Sequence, residues 1–117
     1  MTVLEAEAYV RRSKALLTEE EREGVRTFLA EYPQGGEVVP GLSGLRKLRW
    51  TQRSRNKGKR GGTRIVYFYA VADRIVLLYA YSKDEKEDLT NADRKNLKAA
   101  AEEIKAAIAK NKPRSQD

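Results

Sequence analysis

The sequence predicts a small α+β domain with a mainly antiparallel sheet, two N-terminal helices and one C-terminal helix. Two neighbouring runs, residues 64–71 and 75–81, are dense in β-branched and aromatic side chains, which is typical of strands. Helical spacing of apolar residues precedes and follows them. The length of 117 residues fits one domain. We assign residues 1–110 to that domain and expect residues 111–117 to form a frayed tail.

The N-terminal third predicts a short strand followed by two helices. Apolar and acidic residues alternate over residues 3–7, and residues 9–17 fit a short helix. Thr18 and Glu21 then have the spacing of a capping box, which begins a second helix. Pro33 and the glycines after it end that helix. Its apolar face consists of Val25, Phe28, Leu29 and Tyr32.

Three strands are predicted next. Residues 45–50 alternate, so Lys47 and Arg49 point to one face and Leu48 and Trp50 to the other. Residues 51–62 contain no large apolar side chain and predict a loop. The two apolar runs, joined by a tight hairpin at 72–73, are apolar on both faces and belong in the middle of a sheet covered by helices.

The last predicted element is a helix. Thr90 and Asp93 repeat the capping-box spacing, with Leu89 placed as the preceding staple residue. The apolar stripe of the helix consists of Leu97, Ala101, Ile104 and Ile108.

The positive charge is confined to one stretch. The chain carries 24 Lys and Arg against 17 Asp and Glu, a net charge of +7. Residues 43–64 contain no acidic residue, and they hold Arg46, Lys47, Arg49, Arg53, Arg55, Lys57, Lys59, Arg60 and Arg64. Segregated charge of this kind favours a polyanionic partner such as nucleic acid over a solvated loop.

Composition also excludes several kinds of chemistry. The chain has no His and no Cys, which removes the usual zinc ligands, thiolate sites and imidazole acid–base catalysis. We expect no metal and no cofactor. The first residues lack the order of a signal peptide, and no apolar run is long enough to span a membrane, so we expect a cytoplasmic protein without a membrane partner.

The middle and end of the chain resemble a known family. Residues 44–50 read GLRKLRW, residues 58–64 read GKRGGTR, an aromatic strand follows at 65–69, and residues 77–90 read LLYAYSKDEKEDLT. This succession resembles the RelE/ParE superfamily of type II toxin–antitoxin toxins, within it the RelE-like HigB branch, over roughly residues 3–108. Arg60 and Thr63 depart from the Ser and Tyr that the branch often has there.

The resemblance implies ribosome-dependent cleavage of mRNA by attack of a 2′-hydroxyl on the adjacent phosphate. It also implies a cognate antitoxin that holds the toxin inactive, with the ribosome and mRNA as further partners. Such an endoribonuclease, or mRNA interferase, inhibits translation.

This chemistry requires a base, an acid and positive charge at the phosphate, which Lys, Arg and Tyr can supply. We expect Arg64 and Arg49 to stabilise the phosphate and Lys47 or Lys83 to transfer protons. Lys86 and Tyr81 are further catalytic candidates. The cations expected to bind nucleic acid are Arg46, Arg53, Arg55, Lys57, Lys59 and Arg60.

Some of these residues, and the function itself, also have other interpretations. Trp50, Tyr67 and Tyr69 could stack on bases, although core packing is favoured. Lys83 and Lys86 could belong to an ordinary exposed turn whose acidic residues are their ion partners. A non-enzymatic gyrase inhibitor of the ParE kind, or a basic nucleic-acid-binding module without catalysis, would carry similar charge.

Overall fold

The computed structural model describes residues 2–51, 62–70 and 74–111. Its elements in chain order are β1 (Thr2–Glu5), α1 (Glu7–Leu16), α2 (Glu19–Glu31), β2 (Glu37–Val38), β3 (Arg46–Trp50), β4 (Thr63–Ala70), β5 (Arg74–Ser82) and α3 (Asn91–Asn111). This confirms the predicted α+β class, with two helices before the main strands and one after them. Residues 52–61 of the predicted loop, the hairpin residues 72–73 and residues 112–117 of the predicted tail lie outside the described residues.

The five strands form one sheet in the order β1-β5-β4-β3-β2. The strands β3, β4 and β5 form an antiparallel meander, and β2 extends it beside β3. Strand β1 pairs parallel to β5, from Thr2 opposite Arg74 to Glu5 opposite Leu77. The sequence carries no signal for β2, because two residues are too few to show an alternating pattern.

Helices α1 and α2 cover one face of the sheet. Tyr9, Val25 and Leu29 from these helices pack against Leu48 and Ile65 of the sheet. Trp50 also lies on this side, where its ring meets the edge of Phe28 at 6.4 Å between centroids. Tyr67 and Tyr69 pack in the same cluster, so the core role favoured for these three aromatics is confirmed.

The other face packs against α3 and the segment before β3. Leu97 and Ala101 of α3 join Val66, Phe68 and Leu45 in a second buried cluster. Both faces of the central strands are therefore covered, as their apolar sequences predict.

Both predicted capping boxes are present. Thr18 accepts the N–H of Glu21 at 3.0 Å, and the Glu21 carboxylate accepts the N–H of Thr18 at 2.8 Å. Thr90 and Asp93 exchange the same pair of bonds, each at 3.0 Å. Each pair satisfies N–H groups that a helix start otherwise leaves unpaired, which explains where α2 and α3 begin.

A tyrosine hydroxyl fastens the α2–β2 connection to the sheet. The Tyr67 hydroxyl donates to Pro33 O at 2.8 Å and accepts the N–H of Gly36 at 2.9 Å. A Cβ at Gly36 would lie 2.7 Å from the carbonyl oxygen of Lys47, so this close approach to β3 requires glycine. The connection is thereby held against the strand that carries Lys47.

Candidate functional site

Strand pairing places three candidate residues in one row across the sheet. Arg49 lies opposite Arg64, and Arg64 lies opposite Tyr81. Opposed residues in a sheet share a face, so all three project toward the α3 side. Two like charges directly opposite each other destabilise a sheet, which makes the Arg49–Arg64 pair a candidate for binding an anion.

Lys47 belongs to the next row on the same face. It pairs with Val66, and its Nζ lies 3.4 Å from Oδ1 of Asp88 in the β5–α3 connector. The other oxygen of Asp88 lies 3.5 Å from the guanidinium of Arg94 on α3. The N–H of Leu89 and the nearby Lys47 hold the pKa of Asp88 below its ordinary value. Asp88 therefore places a carboxylate beside the sheet face that carries Lys47, Arg49 and Arg64.

The Tyr81 hydroxyl lies near the charges of Lys47 and Arg64. Tyr81 is fully buried, and its hydroxyl makes no well-formed hydrogen bond among the residues that the structure describes, although Lys47 lies close enough to act on its pKa. Burial raises its pKa, and the positive charges of Lys47 and Arg64 act against that rise. A buried hydroxyl without a hydrogen-bond partner is costly. Since Tyr81 lies in the same row as Arg49 and Arg64, its hydroxyl is a candidate for contact with a ligand.

Lys86, in the turn after β5, donates hydrogen bonds to two groups. Its Nζ donates to Asp93 Oδ2 at 2.8 Å and to the Tyr79 hydroxyl at 3.0 Å. Asp93 and then Tyr79 raise the pKa of Lys86, so its amine stays protonated. Lys86 thus pairs with Asp93 of the α3 capping box, and not with an acidic residue of its own turn.

Lys83 is exposed at the start of the same turn. Its backbone N–H donates to Gly62 O at 3.3 Å, which continues the β4–β5 pairing by one residue. Its position is therefore tied to the end of the sheet near Arg64.

Arg46 lies on the opposite face. It pairs with Tyr67, and its guanidinium donates to Gly36 O at 2.8 Å, beside α2. It is thus separated by the sheet from Lys47 and Arg49. The other residues expected to bind nucleic acid, Arg53, Arg55, Lys57, Lys59 and Arg60, lie outside the described residues.

Arg12 of α1 and Arg94 of α3 also contact this region, and the sequence does not mark either of them. Arg12 bonds to β5 and to Glu85, and Arg94 contacts Asp88. Both stand among other charged helical residues, so no local pattern distinguishes them. Within the described ranges, no cluster of three or more acidic side chains could hold a metal ion, and no helix is long and apolar enough to cross a membrane.

Comparison with known proteins relates this chain to a toxin family and to a solved toxin structure. Residues 42–113 match the family described as RelE toxin of the RelE/RelB toxin–antitoxin system. The fold is similar to that of the E. coli toxin RelE, solved in the free state as a mutant with two arginines changed to alanine. That match has a TM-score of 0.54 and 14% identity, and it covers 85% of this chain and 94% of the other.

Proposed function

This chain belongs to the RelE toxin family, and from that premise we propose that it is a ribosome-dependent endoribonuclease that cleaves mRNA without a metal. We further propose a cognate antitoxin as its partner and the cytoplasm as its location. The observation that carries the proposal is the row of Arg49, Arg64 and Tyr81 with Lys47 beside it on one sheet face. The assignment to the HigB branch stays a prediction.

The substrate brings its own nucleophile. A 2′-oxygen attacks the adjacent phosphorus, the bond from phosphorus to the 5′-oxygen breaks, and a cyclic phosphate and a 5′-hydroxyl result. One protein group removes the 2′-proton, and another protonates the leaving oxygen. This reaction needs no imidazole if a lysine or tyrosine can fill those roles.

The positions of the side chains suggest a division of roles. Arg49 and Arg64 stabilise the extra negative charge on the phosphate, because guanidinium remains charged and matches phosphate geometry. Tyr81 in the row and Lys47 in the next row are the proton-transfer candidates, and Lys83 follows at the end of the β4–β5 pairing. We assign Lys86 to charge and positioning rather than to the base, since Asp93 keeps its amine protonated.

The cations that follow β3 in the sequence supply affinity for RNA. Arg53, Arg55, Lys57, Lys59 and Arg60 follow β3 in the sequence, and we propose that they bind ribosomal or messenger RNA phosphates. Arg46 would contribute from the other side of the sheet, if RNA reaches that face.

The test uses purified ribosomes programmed with a defined mRNA. Mapping of new 5′ ends should show cleavage by the wild type and at least ~100-fold less by Lys47→Ala and Arg64→Ala, as expected when transition-state charge or proton transfer is lost. Arg74→Ala is the matched control, because Arg74 is an exposed cation at the far end of β5. Full cleavage by both variants would overturn the site assignment.

Expression in cells separates the alternatives. Growth arrest with DNA damage and intact mRNA would indicate a gyrase inhibitor of the ParE kind. Nucleic-acid binding that weakens steeply with salt, without cleavage or growth arrest, would indicate a basic binding module.

A further inference from the structure

Strand β1 pairs with only the first half of the outer edge of β5. Pairing with β1 ends at Leu77, where the N–H of Ala6 donates to Leu77 O at 2.9 Å. The chain then turns into α1. The final residues of β5 would therefore present unpaired backbone groups at that edge.

A side-chain pair occupies this edge in place of a strand. Arg12 Nε donates to Ala80 O at 2.7 Å, and Glu85 Oε1 accepts the N–H of Ser82 at 3.2 Å. The two side chains are joined by bonds of 2.6 Å from one guanidinium nitrogen to both carboxylate oxygens. Together they provide one donor and one acceptor to β5, as a paired strand would.

The two backbone groups held in this way flank Tyr81. Ala80 precedes Tyr81 and Ser82 follows it, so the peptide units on both sides of this buried tyrosine are fixed from the edge. The Arg12 guanidinium also lies 5.0 Å from the centre of the Tyr79 ring, whose hydroxyl accepts from Lys86. One arginine of α1 therefore connects to Tyr81 and to the turn that carries Lys83 and Lys86.

We propose that Arg12 and Glu85 are positioning residues of the candidate active site, which act together by holding the backbone on both sides of Tyr81. The proposal rests on the proposed function. Neither side chain needs to touch RNA. Their bond to each other lowers the pKa of Glu85, which keeps the carboxylate ionised as the acceptor.

The kinetic test compares Arg12→Gln, Glu85→Gln and the double variant in cleavage on programmed ribosomes. Each single change should lower kcat about tenfold and leave KM within about twofold, and the double variant should be no worse than the more affected single variant. Arg11→Gln and Asp84→Asn are matched controls, because they remove exposed charges next to each partner. Unchanged kcat, a loss confined to KM, or multiplicative losses would overturn the proposal.

Two further measurements separate a positioning role from simple unfolding, and separate failure of this inference from failure of the proposed function. Arg12→Lys keeps the charge and should retain more activity than Arg12→Gln, while thermal unfolding shows that each variant is folded. Amide exchange should become at least ~10-fold faster at Ser82 in Arg12→Gln and in Glu85→Ala, which removes the acceptor, and stay unchanged at Val66. The exchange measurement needs no RNA. If the wild type does not cleave mRNA, exchange at Ser82 still shows whether Arg12 and Glu85 hold the backbone beside Tyr81. Unchanged Ser82 exchange would overturn the inference.

Discussion

Lys86 and Asp93 form an ion pair of 2.8 Å that links the turn after β5 to the first turn of α3. The same oxygen of Asp93 also accepts the N–H of Thr90 at 3.0 Å. Both side chains are about one-fifth exposed, at 20% and 18%, so the pair is better shielded than a surface ion pair. The start of α3 and the position of Lys86 are thereby coupled.

Replacement of Lys86 by Met should lower the free energy of unfolding by about 1 kcal/mol. The change keeps the aliphatic stem and removes the donor to Asp93 and Tyr79. Urea unfolding, followed by the fluorescence of the single Trp50, measures the difference. Lys83→Met is the control, since its exposed side chain should change stability by less than about 0.5 kcal/mol. Equal losses in both variants would contradict this account.

Stability should fall in acid, and part of that fall should depend on Lys86. Burial acts to raise the pKa of Asp93, but the bonds from Lys86 and Thr90 outweigh it, and the net pKa is lowered. A carboxyl whose pKa is lower in the folded chain stabilises the fold above about pH 4 and loses that contribution as the pH falls below it. Urea midpoints from pH 7 down to pH 3 should show a shallower loss in Lys86→Met. An identical pH dependence in both proteins would be incompatible with the pair.

Tyr81→Phe should separate stability from activity. The buried hydroxyl makes no well-formed hydrogen bond among the described residues, so its removal should leave stability unchanged or raise it by up to about 1 kcal/mol, whereas mRNA cleavage should fall at least ~10-fold. Tyr9→Phe is a matched control, because its hydroxyl is also buried and makes no well-formed hydrogen bond within the described part of the chain, in the cluster beneath α1 and α2. Burial, followed by the charge of Glu5, raises the pKa of Tyr9 to about 12, so it stays protonated. Tyr9→Phe should leave cleavage unchanged, and loss of cleavage in both variants would point to a general packing effect.

Tyr67→Phe should have the opposite effect on stability. Its hydroxyl makes two hydrogen bonds at the α2–β2 connection, and the change leaves Gly36 N–H and Pro33 O without this partner. We expect a loss of about 2 kcal/mol in urea unfolding. Stability equal to the wild type would mean that water replaces the tyrosine at both groups.

Much of the fold follows from local patterns in the sequence. The apolar runs of β4 and β5, the alternation of β3 and the two capping boxes each arise within a few neighbouring residues, and each appears in the structure as predicted. The alternation alone separates Lys47 and Arg49 from Leu48 and Trp50, because successive side chains of a strand point to opposite faces.

Only the tertiary structure decided which distant residues meet. The register of three strands brings Arg49, Arg64 and Tyr81 into one row, and a one-residue shift would have moved any of them to the other face. The Asp93 partner of Lys86 and the Arg12–Glu85 pair at the β5 edge depend on how helices pack on the sheet. The sequence by itself determined every element except β2, and it determined where the positive charge lies, because propensity and capping are local. The arrangement of the site depends on long-range pairing.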